Sequence, residues 1–270
     1  MKPAVFDYVR VNSLDEAIEA LARYEGEAKV LAGGQSLVPL MNFRLSRPGV
    51  LVDINDLAEM AGVRDLGHAL AIGSMTRHQQ LVNNDFIRER LPILPRVASY
   101  IGHWAIRNRG TLGGSVAHAD PAAELPALLT ALQATIVMRS PRGERRLLAE
   151  RFFLGYYSTR LDWDEIITEI EIPFPASSPG FYEVARRAGD FALVGALAER
   201  GTSGGFVTWF GLGGRPERMA LPAWTAHEEE RRQLLRELAG KLDLPSEEEY
   251  KRTIAVSVAG RAMADAEGGN

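Results

Sequence analysis

The sequence contains no cysteine, and this absence excludes several kinds of chemistry together. Without thiolates the chain cannot ligate an iron–sulfur cluster through cysteine, form a disulfide or use a cysteine nucleophile. A basic excess is absent as well, because the formal net charge is -4 at pH 7. Proteins that neutralise phosphate backbones usually carry such an excess, so we expect no nucleic-acid partner.

Long apolar runs and targeting signals are also missing. No run reaches the roughly 20 apolar residues that cross a bilayer. The opening MKPAVFDYVR has neither the apolar core nor the cleavage site of a signal peptide. We therefore expect a cytoplasmic protein with no membrane span. At 270 residues the chain is long enough for a sizeable core divided into two or three subdomains.

Hydrophobic periodicity predicts mixed helices and strands in the first part of the chain. In SLDEAIEALARY, Ser13 is placed as an N-cap and Glu16 follows three residues later, which is a capping box. AKVLA and GVLVDI are predicted strands, so the first segment is a small β/α unit. Ser36 is predicted to cap a second helix, and Thr76 with Gln79 forms another capping-box pattern.

The later part of the chain is predicted to contain more strands than helices. ATIVMRSPRGERRLL is typical of a hairpin, EIITEIEIPFP of a half-buried strand, and PFPASSPG of a linker. Strands near FYEVARR and FVTWFGLGG follow, and Trp209 and Phe210 are expected to pack in this C-terminal sheet. Two charged amphipathic helices are predicted near residues 226–240 and 246–265.

Two glycine pairs carry the candidate chemistry. Gly33-Gly34 ends a predicted strand in KVLAGGQSLVPL, and Gly113-Gly114 lies in RGTLGGSVAHADPAAELPAL. Either pair alone is compatible with a tight turn, because glycine reaches positive φ at little steric cost. Two such segments, each with hydroxyl side chains beside the glycines, favour main-chain cradles that hold a pyrophosphate between them.

Several common sites can be excluded by their motifs. The chain has no G-x-x-x-x-G-K-[ST] phosphate loop and no G-x-G-x-x-G after a strand, so neither a nucleoside triphosphatase nor a nicotinamide Rossmann site is supported. His103, His118 and Asp120 lack the spacing of a metal site. Gly114-Ser115 lacks the G-x-S-x-G frame of a serine hydrolase. The candidate ligand that remains after these exclusions is a dinucleotide bound by a different fold.

Two long motifs, LAGGQSLVPLMNFRL and AIRNRGTLGGSVAHADPAAELPA, closely resemble the FAD-binding medium subunit of the molybdenum hydroxylases, which include carbon monoxide dehydrogenase and, more distantly, xanthine dehydrogenase. RRAGDFALVGA and GLGG resemble the C-terminal domain of that family. The resemblance implies an α+β FAD-binding fold of the vanillyl-alcohol-oxidase (PCMH) type. Residues 1–175 would bind FAD noncovalently through subdomains at about 1–56 and 57–175, and residues 176–270 would form a smaller α/β domain.

The resemblance also implies which residues bind the cofactor. Two segments would grip the pyrophosphate, Glu124 would accept from a sugar hydroxyl, and three isoleucines would line the flavin. Phe191 stands where some relatives place a side chain over the isoalloxazine ring, although that position varies. The full set is Leu31, Ala32, Gly33, Gly34, Gln35, Ser36, Leu37, Ile101, Ile106, Thr111, Gly113, Gly114, Ser115, Ala117, Asp120, Glu124, Ile167 and Phe191.

Some of these positions have alternative structural interpretations. Asp120-Pro121 is equally an N-cap with a first-turn proline. Pro126 would allow the helix to start later, which would leave Glu124 in a loop. Arg107 and Arg109 are expected to be structural or to face a partner, and no side chain is assigned a catalytic role.

The resemblance implies an electron-transfer subunit. A small subunit with two [2Fe–2S] clusters and a large molybdenum-cofactor subunit would be its partners, commonly as a dimer of heterotrimers. The absence of cysteine agrees with this, because the clusters must then lie on another chain. Two alternatives stay open: a free-standing flavin oxidase, and a scaffold that keeps the fold without redox chemistry.

Overall fold

A computed structural model describes residues 2–244 and 246–268, so residues 1, 245, 269 and 270 of the predicted domains lie outside it. The strands are β1 Asp7–Arg10, β2 Ala28–Leu31, β3 Val50–Asp53, β4 Val63–Asp65, β5 Ala69–Gly73, β6 Thr135–Ser140, β7 Gly143–Leu148, β8 Phe153–Gly155, β9 Ser158–Thr159, β10 Ile166–Pro173, β11 Gly180–Ala185, β12 Ala192–Arg200, β13 Gly205–Phe210 and β14 Glu217–Leu221. The helices are α1 Leu14–Arg23, α2 Leu37–Asn42, α3 His78–Asn83, α4 Asp85–Arg90, α5 Ile93–Ala98, α6 Trp104–Arg107, α7 Leu112–His118, α8 Glu124–Ala131, α9 Ala149–Phe152, α10 Glu228–Ala239 and α11 Lys251–Ala266, with 3₁₀ turns at Ala58–Met60 and Ser246–Glu248.

The first sheet is parallel, with the strand order β1-β3-β2. Helix α1 covers it and begins where the sequence predicted, because the Ser13 side chain accepts a hydrogen bond from the Glu16 amide at 3.2 Å. The Glu16 carboxylate in turn accepts from the Asn12 amide at 2.8 Å, one residue before the N-cap. The carboxyl ends of β2 and β3 lie side by side, which makes that edge of the sheet a natural place for a binding site.

The second sheet has five antiparallel strands in the order β4-β5-β10-β6-β7. The predicted hairpin is confirmed, since β6 pairs with β7 from Thr135 opposite Leu148 to Ser140 opposite Gly143. Helices α3 to α8 lie between β5 and β6 in the chain, and buried apolar side chains of each of them except α6 share one core cluster with this sheet. All eight residues of α8 are buried, so this helix lies at the centre of the molecule.

The third sheet is antiparallel with the order β11-β12-β13-β14, and α11 packs against β11 and β12. Trp209 and Phe210 are fully buried, as predicted, and the Trp209 indole donates to the Ala255 carbonyl at 3.0 Å. Phe181 and Phe210 belong to the same core cluster as the second sheet. The chain segments before and after PFPASSPG therefore share a core, and the predicted domain boundary there stays a prediction.

Two local predictions are wrong in detail. Helix α3 starts at His78 with Arg77 as its N-cap, because the Arg77 amide donates to the Gln80 side chain at 2.8 Å. Thr76 instead accepts a hydrogen bond from the Gly62 amide at 3.0 Å, which ties its hydroxyl to a distant turn. Ser36 does occupy the N-cap position of α2, but its side chain makes no capping hydrogen bond.

The start of α8 differs from both alternatives considered for this segment. The helix begins at Glu124, so it does not wait for Pro126, which the first turn accommodates because its amide has no helical partner there. The N-cap is Ala123 and not Asp120. The Asp120 carboxylate accepts from the Ala122 amide at 2.9 Å and thereby closes a turn that precedes the helix.

Candidate functional site

The first glycine pair lies in loop 1 (residues 32–36), which joins the carboxyl end of β2 to α2. Gly34 has φ +71°, a left-handed conformation that favours glycine. Within the part of the chain that the structure describes, the amide groups of residues 33–37 donate no hydrogen bond. Five consecutive unpaired amides at the end of a strand are suited to an anionic group such as a phosphate.

The second glycine pair lies in the first turn of α7, which follows loop 2 (residues 108–111). Its amides are already used: Leu112 donates to the Thr76 carbonyl at 3.0 Å and Gly113 to the Ser74 carbonyl at 2.7 Å. Gly114 donates to the hydroxyl of Thr111, the helix N-cap, at 3.1 Å. The expected free amides are therefore present in loop 1, whereas the first turn of α7 has its amides paired and could offer a ligand the Ser115 hydroxyl.

Two of the four glycines make room for another segment of the chain, and a Cβ on Gly114 would lie 2.7 Å from the hydroxyl oxygen of Thr111. A Cβ on Gly33 would lie 2.3 Å from the Arg109 carbonyl oxygen, and one on Gly113 would lie 2.5 Å from the Ser74 Cβ. Loops 1 and 2 therefore touch through their backbones. Gly114 faces loop 1 more loosely, because its Cβ would lie 4.0 Å from that of Ala32. The first glycine pair therefore has two roles. Gly33 allows the close contact between loops 1 and 2, and the backbone amides of loop 1 are left free to bind a ligand.

A cleft of about 520 Å³ opens at this contact. It is lined by residues 31–35, by Val38 and Pro39 of α2, and by Asp53, Asn55 and Arg109. Sequence reasoning missed Asp53 and Asn55, although both come directly at or after the end of β3. The carboxyl edge of the parallel sheet was the signal that could have found them, because chain ends of neighbouring parallel strands meet there.

Asp53 is a buried carboxylate at the floor of this cleft. It accepts from the Asn55 amide at 2.9 Å, from the Asn55 side chain at 2.6 Å and from the Tyr8 hydroxyl. Burial on its own would raise the pKa of Asp53, but the hydrogen bonds from Tyr8 and Asn55 outweigh burial and lower it. Asp53 is consequently an anion that organises the neighbouring side chains.

His78 lies beneath loop 2 and was also missed. Its Nε2 lies 2.9 Å from the Thr111 carbonyl, so this nitrogen carries the proton, while the buried Nδ1 has no partner among the described residues. Burial lowers the pKa of His78 to about 4, and the ring is neutral near pH 7. Gly110 is needed beside it, because a Cβ there would lie 2.9 Å from the imidazole.

Glu124 lies apart from loop 1, at the start of the central helix α8, and is only 3% exposed. Burial, together with smaller contributions from the nearby carboxylates of Glu183 and Asp120, raises the pKa of Glu124 to about 8. Burial likewise raises the pKa of Glu183 to about 7, and its Oε2 is buried without a partner among the described residues. Asp120 accepts from the Tyr157 hydroxyl at 3.4 Å.

Of the remaining predicted positions, Ile101 and Ile167 lie at the core, whereas Ala117 and Phe191 are exposed. Ile101 packs against the core cluster that contains Ile167. Gly189 approaches Gly102, since a Cβ on Gly189 would lie 2.7 Å from the Gly102 carbonyl oxygen, and this brings the exposed segment before Phe191 beside the predicted isoleucines. Ala117 is exposed on α7.

No helix described in 2–244 or 246–268 is long and apolar enough to cross a membrane, and those residues contain no cluster suited to a metal ion.

Residues 4–175 match the family model described as the FAD binding domain in molybdopterin dehydrogenase. The chain belongs to this family. It is thus an FAD-binding medium subunit of the molybdenum hydroxylase type, a subunit of an oxidoreductase. It is 47% identical over 199 residues to the caffeine dehydrogenase subunit beta of Pseudomonas sp. (strain CBB1), covering 73% of this chain and 68% of that protein. It is 39% identical over 210 residues to the carbon monoxide dehydrogenase medium chain of Hydrogenophaga pseudoflava, covering 77% and 73%.

Two solved structures with more than 30% sequence identity have the same fold. A chain of quinoline 2-oxidoreductase from Pseudomonas putida 86 superposes with a TM-score of 0.94 at 33% identity, over 100% of this chain and 99% of that one. A chain of carbon monoxide dehydrogenase from Hydrogenophaga pseudoflava superposes with a TM-score of 0.92 at 32% identity, over 99% of each. The superposition extends over the whole chain and so includes the C-terminal sheet β11–β14, whereas the family model ends at residue 175.

Proposed function

We propose that this chain is the electron-transfer subunit of a molybdenum hydroxylase complex. It would hold FAD so that electrons from the [2Fe–2S] clusters of a partner subunit reach an external acceptor. When bound, FAD supplies redox chemistry that accepts electrons singly or in pairs. The observation that carries the proposal is the run of free amides in loop 1 beside the close contact with loop 2, in a chain of this family.

Each part of the candidate site has a role in holding the cofactor. The free amides of residues 33–37 would bind the diphosphate, since consecutive unpaired donors stabilise an anion. The residues Thr111–Ser115, at the start of α7, would close the site from the opposite side. Glu124 would bind a sugar hydroxyl, and its raised pKa leaves the carboxyl mostly protonated at pH 7, so it could donate as well as accept. Ile101, Ile106, Ile167 and Phe191 would border the flavin ring.

The partners follow from the same reasoning. No residue of the chain is a cysteine, so the clusters that deliver electrons belong to another subunit. The relatives include proteins named medium chains of carbon monoxide and glyceraldehyde dehydrogenases, which fit a large molybdenum subunit and a small [2Fe–2S] subunit. A dimer of such heterotrimers and a cytoplasmic location complete the proposal.

The test is anaerobic absorbance spectroscopy of the full chain, expressed alone and together with its two partner subunits. Alone, it should bind FAD, and a chemical reductant should bleach the flavin. Aldehydes, purines, N-heterocycles and carbon monoxide should not bleach it until both partners are added. Rapid bleaching by a substrate in the isolated chain would show a free-standing oxidase instead. A chain that takes up no FAD would favour the scaffold alternative.

A further inference from the structure

Loops 1 and 2 are joined by side chains as well as by their direct contact. The Arg109 carbonyl of loop 2, against which Gly33 packs, also accepts a hydrogen bond from the Arg77 guanidinium. The other end of that guanidinium donates to Asn55 Oδ1 at 2.8 Å. Arg77 therefore reaches from loop 2 to the edge of the parallel sheet with one planar group.

Asn55 continues this connection to loop 1. Its Nδ2 donates to the Ala32 carbonyl at 2.8 Å and to Asp53 Oδ1 at 2.6 Å. The orientation of the amide is determined by its surroundings, because acceptors surround Nδ2 and a guanidinium donor faces Oδ1. Asp53 is in turn held by the Tyr8 hydroxyl of β1. The link therefore runs from Ala32 through Asn55 and Arg77 to Arg109.

We propose that Asn55 and Arg77 form a clamp that sets the spacing of loops 1 and 2, and that both are positioning residues for FAD. The inference rests on the proposed function, in which the diphosphate lies at these loops. Neither side chain needs to touch the cofactor for this role. The clamp acts through the carbonyls of Ala32 and Arg109, which lie on opposite sides of the loop contact.

The geometry favours a clamp over a simple charge effect. Arg77 is half-buried and uses two different nitrogens on two different acceptors, which a planar guanidinium can do and a lysine ammonium on a flexible stem cannot reproduce. If Arg77 acted only as a positive charge near the diphosphate, lysine would serve nearly as well. The variants Arg77→Lys and Arg77→Met therefore separate the two explanations.

The experiment titrates FAD into the FAD-free full chain and measures the dissociation constant by flavin fluorescence. The variants are Arg77→Lys, Arg77→Met, Asn55→Ala and the double variant Asn55→Ala/Arg77→Met. Arg64→Met is the matched control, because Arg64 is an exposed arginine that bonds Glu169 and does not line the cleft. Each single variant should weaken FAD binding by about tenfold or more, since each breaks charged or buried hydrogen bonds.

The double variant should bind FAD about as weakly as the weaker single variant, because both residues belong to one connection. The visible circular dichroism of bound FAD should change in the clamp variants and not in Arg64→Met, and the melting temperature of the FAD-free chain should stay close to wild type in Arg77→Lys. If Arg77→Met fails to fold, Arg77→Lys with Asn55→Ala carries the same test.

Three results would overturn the proposal. Wild-type affinity in Arg77→Lys would mean that charge alone matters. Strictly multiplicative losses in the double variant would mean that the two residues act independently. Weaker binding that merely follows a lower melting temperature, with an unchanged dichroism spectrum, would mean a general loss of stability. A wild-type chain that binds no FAD would instead refute the proposed function and the clamp together.

Discussion

Replacement of Gly33 by alanine tests whether the loop contact is as tight as the structure indicates. The new Cβ would lie 2.3 Å from the Arg109 carbonyl oxygen, 2.8 Å from the Gly110 Cα and 2.9 Å from the Arg109 carbonyl carbon. Carbon and oxygen atoms that are not bonded usually approach to about 3.3 Å. The loops would therefore have to separate by about 1 Å.

The cost of that separation can be estimated. All three obstructing atoms belong to the backbone, so no side chain can rotate away. Overpacking of this kind costs about 1–3 kcal/mol. For a chain of this size we expect the melting temperature to fall by roughly 2–4 °C for each kcal/mol. The loss of FAD-binding free energy should exceed the loss of unfolding free energy, because the displacement is concentrated at the proposed diphosphate site.

The assay combines thermal unfolding of the FAD-free chain with an FAD titration. Gly155→Ala is the matched control, since a Cβ there would meet no atom within 4 Å. The control should keep both the melting temperature and the FAD affinity of the wild type. Wild-type FAD affinity in Gly33→Ala would refute the view that this loop contact shapes the cofactor site.

Two further predictions concern the rest of the molecule. Burial raises the folded-state pKa of Glu124 from 4.5 to about 8, so its protonated form stabilises the FAD-free chain at low pH, and that stability is lost as the pH rises from about 4.5 to about 8. In denaturant titrations across pH, Glu124→Gln should reduce the slope of unfolding free energy against pH in this range. An unchanged slope would contradict the raised pKa of Glu124. Gly180→Ala should lower the unfolding free energy by about 1–3 kcal/mol, because its Cβ would lie 1.9 Å from the Ala262 carbonyl oxygen of α11. A Gly180→Ala chain that melts like Gly155→Ala would show that α11 can shift freely.

Elements whose signals are local could be predicted from the sequence. Helix α1 has an N-cap, a capping-box glutamate and an apolar face within one short segment, and it begins where they indicated. The hairpin of β6 and β7 carries its own turn residues, so its register is also a local property. The long motifs around the two glycine pairs were enough to indicate the family, which the comparisons confirm.

Predictions failed where a side chain had two competing partners. Thr76 and Gln79 have the spacing of a capping box, yet the Thr76 hydroxyl bonds the Gly62 amide, from a segment 14 residues earlier. Asp120 has the sequence context of an N-cap, but it closes a turn before the helix. In both cases a contact that depends on the folded chain replaced one that the local pattern favoured.

The sequence by itself determined the family and the cofactor class, because the long motifs are a property of the chain alone, and its lack of cysteine excludes a thiolate-ligated iron–sulfur cluster on this chain. Only the tertiary structure decided what each glycine does. Gly33 and Gly113 make room for neighbouring backbones, Gly34 adopts a left-handed conformation, and free amides occur in loop 1 but not in α7. Identical GG pairs differ in this way because the space around a glycine, and the partners of its amide, come from residues distant in sequence.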